Sequence, residues 1–290
     1  MGSIALDTLE TDAGRKTDIL GGAATFYALA ASLFAPVRLV GVVGSDFPEA
    51  GWRLFRERGV DVSDVEQVEG RTFRWGGRYS ADLNSRETLF TELGVFEHFK
   101  PRISRANQQT PLVYLGNIQP SLQLAVHKEM AGAEIFIADT MNMWIDLFPA
   151  ELEQVLAKTD IFLLNDEEAV QYTGESDLDS AARALLAAGP DTVIIKQGRA
   201  GALLVSEQIR RHIPAFPDAK AVDPTGAGDS FAGGFVAQLA VNGLEQLEQA
   251  VVMAAATASF TVEGFGLEGI LPATANDVLH RADVITGLMD

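Results

Sequence analysis

The sequence predicts an α/β fold with a central, mostly parallel sheet, and three observations carry that expectation. Short apolar runs rich in β-branched residues alternate with segments of helical periodicity along most of the 290 residues. Polar residues recur where those runs end, at the sheet edge where open α/β proteins bind ligands. One glycine-rich loop, Asp223-Pro-Thr-Gly-Ala-Gly-Asp229, runs straight into an apolar helix from Phe231 to Leu239.

The composition is that of an ordinary globular protein, 47% hydrophobic and 21% charged. A formal charge of −18 argues against nucleic acid or an anionic membrane as partner, since both demand basic surface. The absence of cysteine removes disulfides and thiolate metal sites. The four histidines are scattered and form no His-Glu-x-x-His pair for zinc. No apolar run approaches the roughly 18 residues of a membrane span. No basic and apolar leader opens the chain, so a cytoplasmic enzyme is expected. The length allows one large domain or two small ones. The regular rhythm favours one, over residues 1–290.

In chain order, Ser3 to Asp7 reads as the end of a short buried strand, with Asp7 just beyond the apolar run. Asp7 is either a ligand group or a turn residue. Gly21-Gly22 enters an Ala-rich helix extending to Leu33. Val37 to Gly44 is a β-branched strand, and Asp46 is placed to cap a helix from Glu49 to Arg58. A turn at Gly59 leads to another strand.

Between Arg71 and Leu93 the rhythm breaks. Thr72–Tyr79 and Arg86–Glu92 alternate like strands, with a turn at Ala81–Asn84. An exposed hairpin bearing Trp75 and Tyr79 is a lid or an oligomer surface. Arg74 and Arg86 on it are candidate lid or substrate contacts, or simply solvated. The α/β order then resumes with strands at Leu112–Asn117 and Glu134–Asp139, separated by a helix over Leu122–Ala131. Asn117, Asp139 and Asn142 are substrate-edge candidates or turn caps. Ile161–Asn165 is a strand with Glu168 one helical turn beyond its end. That places an amide and a carboxylate on one face, and is equally the pattern of a capping box.

Thr192–Lys196 is a buried strand ending in lysine, which has few structural reasons to exist and suits a phosphate. A glycine turn and a returning strand follow, then an edge strand at Ile213–Phe216. Leu247–Phe260 is a further helix. Gly264-Phe-Gly-Leu-Glu-Gly269 is formally Gly-x-Gly-x-x-Gly. It follows a helix with no βαβ unit left to hold it, so it is a loop closing over a base rather than a dinucleotide fingerprint.

The chemistry concentrates in the loop at 223–229. Gly226 and Gly228 leave backbone N–H groups unobstructed, and the helix start adds free N–H groups and a positive dipole end. Together these make an anion site. Asp229 lies inside it, an odd choice for holding phosphate alone. It fits if Asp229 takes a proton from a hydroxyl while the N–H groups hold the phosphoryl group under attack. Helix capping by Asp223 or Asp229 is the alternative. No Walker A Lys-Ser/Thr follows the loop, so a P-loop is excluded.

This loop resembles the second signature of the ribokinase-like (PfkB) family of carbohydrate and nucleoside kinases. The family core reads Asp-Thr-x-Gly-Ala-Gly-Asp; here a proline precedes the threonine. The resemblance runs from about Ser3 to Gly269. It implies a ribokinase-like three-layer α/β/α sandwich with a small β-sheet lid formed by about residues 13–20 and 71–93. It implies Asp229 as catalytic base, with the N–H groups of Gly226, Ala227 and Gly228 as the anion hole. The cofactors implied are ATP and Mg²⁺, held by Asn165 and Glu168, with Lys196 near the phosphates, Gly198 under the adenosine, and Thr225 among the nucleotide contacts. Glu168 would meet the metal through water. A K⁺ or similar ion near Asp223 and a homodimer joined through the lid are further implications.

Asp7 and the Gly21-Gly22 loop would hold the acceptor. Sugar-binding members carry Asn four places after the second glycine, where this chain has Phe26. Either Phe26 faces the acceptor, favouring a nucleobase or a ring C–H face, or it is buried in the core of its helix. The expected activity is phosphorylation of a hydroxyl on a small sugar-like acceptor. The alternatives are a nucleoside or inositol-type kinase and, from another class, a non-catalytic ligand sensor.

Overall fold

The computed structural model describes residues 1–81, 83 and 86–289. The chain opens with an antiparallel hairpin of β1 (Ala5–Thr11) and β2 (Gly14–Gly21). Helix α1 (Ala23–Ala31) leaves β2 through Gly22. Then come β3 (Arg38–Gly44), α2 (Glu49–Glu57) and β4 (Asp61–Val68), with β3 and β4 paired in parallel. β5 (Phe73–Tyr79) and β6 (Arg86–Glu92) complete a four-stranded sheet in the order β2-β1-β5-β6.

Two expectations need correction here. The first strand does not end at Asp7. It runs on to Thr11, and Asp7 lies in mid-strand at a register shift between Asp7 and Leu9, the kind of irregularity that re-aims a side chain. Asp46 does not cap α2, whose N-cap is Pro48. Its Oδ1 accepts the N–H and the hydroxyl of Thr72, both at 2.7 Å, and its Oδ2 accepts Arg74 at 2.8 Å. Asp46 therefore ties the end of β3 to the base of the small sheet. The turn expected at 81–84 falls largely outside the described residues.

The central sheet has the order β12-β11-β10-β9-β8-β7. Four strands run parallel: β7 (Leu112–Leu115), β8 (Ile135–Asp139), β9 (Ile161–Asn165) and β10 (Thr192–Lys196). They are connected by α3 (Pro120–Glu129), by α4 (Asn142–Leu147) with α5 (Pro149–Leu156), and by α6 (Asp166–Thr173) with α7 (Leu178–Ala187). β11 (Ala202–Ser206) and β12 (Arg210–Ile213) add antiparallel. The expected edge strand at 213–216 thus ends where it was expected to begin. Pro214 has no N–H to offer a ladder.

The strands are apolar on both faces, as buried parallel strands are. With side chains alternating, Val113, Phe136, Phe162, Leu164, Val193 and Ile195 pack on one side against Val126, Leu152, Val155 and Leu185. Tyr114, Ile137, Leu163, Ile194 and Leu204 face the other side. There they meet α8 (Ala227–Asn242), α9 (Leu247–Thr261) and α10 (Ala275–Gly287) through Phe231, Phe235, Val251 and Val278. The result is three layers with a small separate sheet. Among the described residues no helix is long and apolar enough to cross a membrane.

Candidate active site

Parallel strands bring their C-terminal ends to one edge. Asp139 ends β8, Asn165 ends β9 and Lys196 ends β10, with Lys196 paired in register with Asn165. The Lys196 ammonium forms a 2.8 Å ion pair with Asp139 Oδ2. Asp139 Oδ1 accepts the Thr140 N–H at 2.8 Å, and the Tyr114 hydroxyl lies 3.4 Å from Oδ2. Burial works against the ammonium, yet Asp139 and Glu168 hold its pKa above the usual lysine value, so it stays charged. Tyr114 is fixed from its other side by Tyr27, stacked at 4.5 Å between centroids.

Asn165 and Glu168 form a reciprocal capping box at the start of α6. The Glu168 N–H donates to Asn165 Oδ1 at 2.7 Å, and the Asn165 N–H donates to Glu168 Oε2 at 2.8 Å. Glu168 is buried. Burial pushes its carboxyl up to about 7, with Lys196 opposing and Asp139 reinforcing. One oxygen serves the helix, and the other carries no hydrogen bond among the described residues.

At the start of α8 Gly226 is the N-cap in the left-handed conformation, φ 74°, with no capping side chain. Glycine is required twice over: for that φ, and because a Cβ here would overlap the Phe26 ring. The Ala227 N–H is taken by the Pro224 carbonyl at 3.1 Å. Those of Gly226 and Gly228 have no partner among the described residues. Asp229 sits in the first turn. Burial raises its carboxyl to about 7, reinforced by Asp139 and opposed by Lys196 and Arg86. A Cβ on Gly228 would stand 3.1 Å from Lys196 Nζ, which puts the ammonium directly in front of the loop.

Asp7 faces the same recess. Burial raises it to about 7, the Gly22 N–H opposes, and the charges of Asp223 and Asp229 reinforce. Its carboxylate occupies the space a side chain on Gly21 would need. At Gly22, with φ 89°, a Cβ would meet the Ser3 carbonyl.

The structure corrects several expected roles. Phe26 does not face an acceptor. It is 1% exposed and packs with Leu29, Leu267 and Ile270 beneath Gly226, because α1 turns that face towards the anion loop. Ala227 contributes no free N–H to an anion hole. The Asp223 carboxylate braces its own loop: Oδ1 accepts Thr225 N–H at 2.9 Å and its hydroxyl at 2.6 Å, and Oδ2 accepts Gly266 N–H at 2.8 Å. Thr225 is 9% exposed and spent on that brace.

The segment at 264–269 backs the anion loop and Phe26: the Gly266 N–H donates to Asp223, and Leu267 packs with Phe26. Asn117 accepts the Trp144 indole N–H at 2.8 Å, tying the loop after β7 to α4, and Asn142 donates to Gln171 at 2.7 Å, tying α4 to α6. Arg74 is spent on Asp18 and Asp46. Gly198 lies exposed in the turn after Lys196. Sequence reasoning underrated Asp139, the partner of Lys196, and missed Tyr114. The signal for Asp139 was its place at a strand end next to those of Asn165 and Lys196.

The sequence profile of the pfkB family carbohydrate kinases matches residues 7–274. A cytidine kinase of Thermococcus kodakarensis is 30% identical over 243 residues, covering 82% of this chain and 86% of that protein. A deoxyribokinase of Salmonella typhi is 29% identical over 279 residues, covering 92% and 88%. An E. coli chain solved in complex with ATP and Mg²⁺ superposes with a TM-score of 0.81 at 19% identity, covering 98% and 97%.

Proposed function

Because the chain belongs to the pfkB family of carbohydrate kinases, we propose that it transfers the γ-phosphoryl group of ATP to a pentose hydroxyl with Asp229 as the base. That it is a phosphotransferase acting on a sugar or nucleoside hydroxyl follows from the membership itself. The observation that carries the finer reading is the position of Asp229. It stands in the helix turn that follows the Gly226 and Gly228 N–H groups, which have no partner among the described residues, and Lys196 acts on its carboxyl, whose pKa burial pushes up to about 7. A base with a pKa near the working pH combines a useful ionised fraction with real proton affinity.

The acceptor O–H gives its proton to the Asp229 carboxylate. The oxygen forms a bond to the γ-phosphorus as the bond from that phosphorus to the bridging oxygen breaks, and the electron pair leaves with ADP. The N–H groups of Gly226 and Gly228 hold the oxygens of the transferring group, and Lys196 supplies positive charge. Asp7, held by the bulge in β1, accepts hydrogen bonds from the pentose hydroxyls.

Mg²⁺ fits the donor set in a limited way. Among the described residues no cluster of three or more acidic or histidine side chains could hold an ion. Glu168 is a hard oxygen donor with one oxygen unpaired among the described residues. Mg²⁺ keeps most of its water and takes one or two carboxylates plus substrate phosphates, so Glu168 and Asn165 would hold it from one side. When bound it neutralises phosphate charge. The acceptor class rests on what a cytidine kinase and a deoxyribokinase act on by name: both substrates contain a pentose ring.

The test is ADP release from ATP with pentoses, hexoses, nucleosides and inositol, on the parent and on Asp229→Asn. Turnover is expected with a pentose or a nucleoside. Asp229→Asn should lose about 10²–10⁴-fold in kcat while still binding ATP. Parent-like turnover by the variant would remove Asp229 from the base role, and a preference for hexoses or inositol would remove the pentose.

A further inference from the structure

The small sheet carries a cation, Arg86, whose charge acts on Asp229 beside the anion loop. Asp7 on β1 is in register with Trp75 on β5, and Tyr79 on β5 is in register with Arg86 on β6. Trp75, Gly77 and Tyr79 alternate onto one face. The Trp75 indole lies over Gly77, where a Cβ would overlap it. Above the indole sits the Arg86 guanidinium, its Cζ 5.2 Å from the ring centroid. The hydroxyl of Tyr79, the cross-strand partner of Arg86, lies 3.1 Å from Thr225 Oγ1. Thr225 immediately precedes Gly226. Arg86 is exposed, yet its guanidinium is seated on an aromatic ring, beside the tyrosine that touches the loop before Gly226.

The electrostatics agree with that placement. Lys196 and Arg86 both lower the Asp229 carboxyl against the effect of burial, and Arg86 acts in the same direction on Glu168. Lys196 is already paired with Asp139, and the Gly226 and Gly228 N–H groups are neutral dipoles. The cationic charge on the small-sheet side of the recess therefore comes from Arg86.

Resting on the kinase reading above, we propose that Arg86 is a further catalytic residue, whose guanidinium contacts the transferring phosphoryl group opposite the Gly226 and Gly228 N–H groups. Charge spreads over the equatorial oxygens of that group as it moves. A planar fork of N–H donors matches two of them at once, which a lysine does not. Trp75 and Tyr79 are positioning residues for Arg86.

The test compares Arg86→Gln, Arg86→Lys and Arg86→Ala with the parent and with Asp229→Asn, measuring kcat and both KM values across pH. Arg86→Gln should lose roughly 10²–10³-fold in kcat, with the acceptor KM little changed. Arg86→Lys should lie between, keeping charge without the fork. Added guanidinium at millimolar concentration should restore part of the Arg86→Ala activity and leave the parent unaffected. The acidic limb of the kcat profile of Arg86→Gln should move to higher pH, because Asp229 loses a cation that favours its ionised form. Parent-like kcat in Arg86→Gln, a loss confined to acceptor KM, or failure of guanidinium to restore Arg86→Ala would each overturn the proposal. An inactive Asp229→Asn beside a parent-like Arg86→Gln sinks Arg86 alone, whereas an active Asp229→Asn sinks the underlying reading.

Discussion

Two glycine loops enter two helices in this protein, and they use glycine differently. At Gly21-Gly22, before α1, the missing side chains make room for the protein itself: the Asp7 carboxylate at one, the Ser3 carbonyl at the other. At Gly226–Gly228, before α8, the missing side chain of Gly226 makes room for the Phe26 ring and that of Gly228 leaves a gap approached by Lys196, while the N–H groups of both glycines have no partner among the described residues. Neither helix has a side-chain cap. The first loop spends its freedom on seating a carboxylate, the second on keeping donors unpaired. Phe26 joins them: it belongs to the helix of the first loop and lies under Gly226 of the second.

The comparison breaks most visibly at Gly226. Gly226→Ala adds a left-handed non-glycine residue and a clash with a buried ring. A displacement of the loop on the order of 1 Å is expected to cost about 100-fold in kcat, read by steady-state kinetics. Next comes Gly21→Ala, which pushes the Asp7 carboxylate aside. Losing a hydrogen bond to a charged group, about 1.5–3 kcal/mol, should raise the acceptor KM roughly 10- to 100-fold with ATP KM unchanged. If ATP KM rises equally, the two loops are not separate in function.

Phe26→Leu should reduce stability by roughly 1–3 kcal/mol in denaturant titration, while the ranking of acceptors stays the same. A changed ranking would return Phe26 to the acceptor site. Gly228→Ala is milder, because its nearest neighbour is the end of a flexible lysine at 3.1 Å. A few-fold rise in ATP KM, on the order of 1 kcal/mol, is expected there.

The smallest effect is on stability against pH. Asp7, Glu168 and Asp229 are each raised to about 7 in the folded chain, from ordinary values of 3.8, 4.5 and 3.8. Between about pH 4 and pH 7 the folded state therefore binds more protons than the unfolded state, and stability falls as pH rises through that window. The ligand-free protein should melt about 2–4 °C lower at pH 8 than at pH 5 for each kcal/mol involved. Asp7→Asn should flatten the slope. A Tm that rises over this range would contradict the burial of these carboxylates.

What could be read without coordinates was what is local. The Asn165–Glu168 box spans four residues, so its spacing was enough. The loop at 223–229 names its own conformation through its glycines. The central strands announced themselves as continuous apolar runs. Errors came where side chains from distant elements decide. Whether Phe26 faces a ligand or the core depends on how α1 turns against α8. Asp46 has capping chemistry, but Thr72 and Arg74 claim it from 26 and 28 positions away. Ala227 loses its N–H to a turn made possible by Pro224. Asp139 looked like any strand-end aspartate until β10 set Lys196 beside it.

The path of β1 has a further consequence. The strand lies between β2 and β5 inside the small sheet, and it also carries Asp7. The carboxylate proposed to grip the acceptor is thus built into the cover rather than the floor. A tilt of that cover and a shift of the grip are one rigid-body displacement, transmitted by the backbone with no side chain as relay. A cover that moved would act as a jaw, with Asp7 as its tooth.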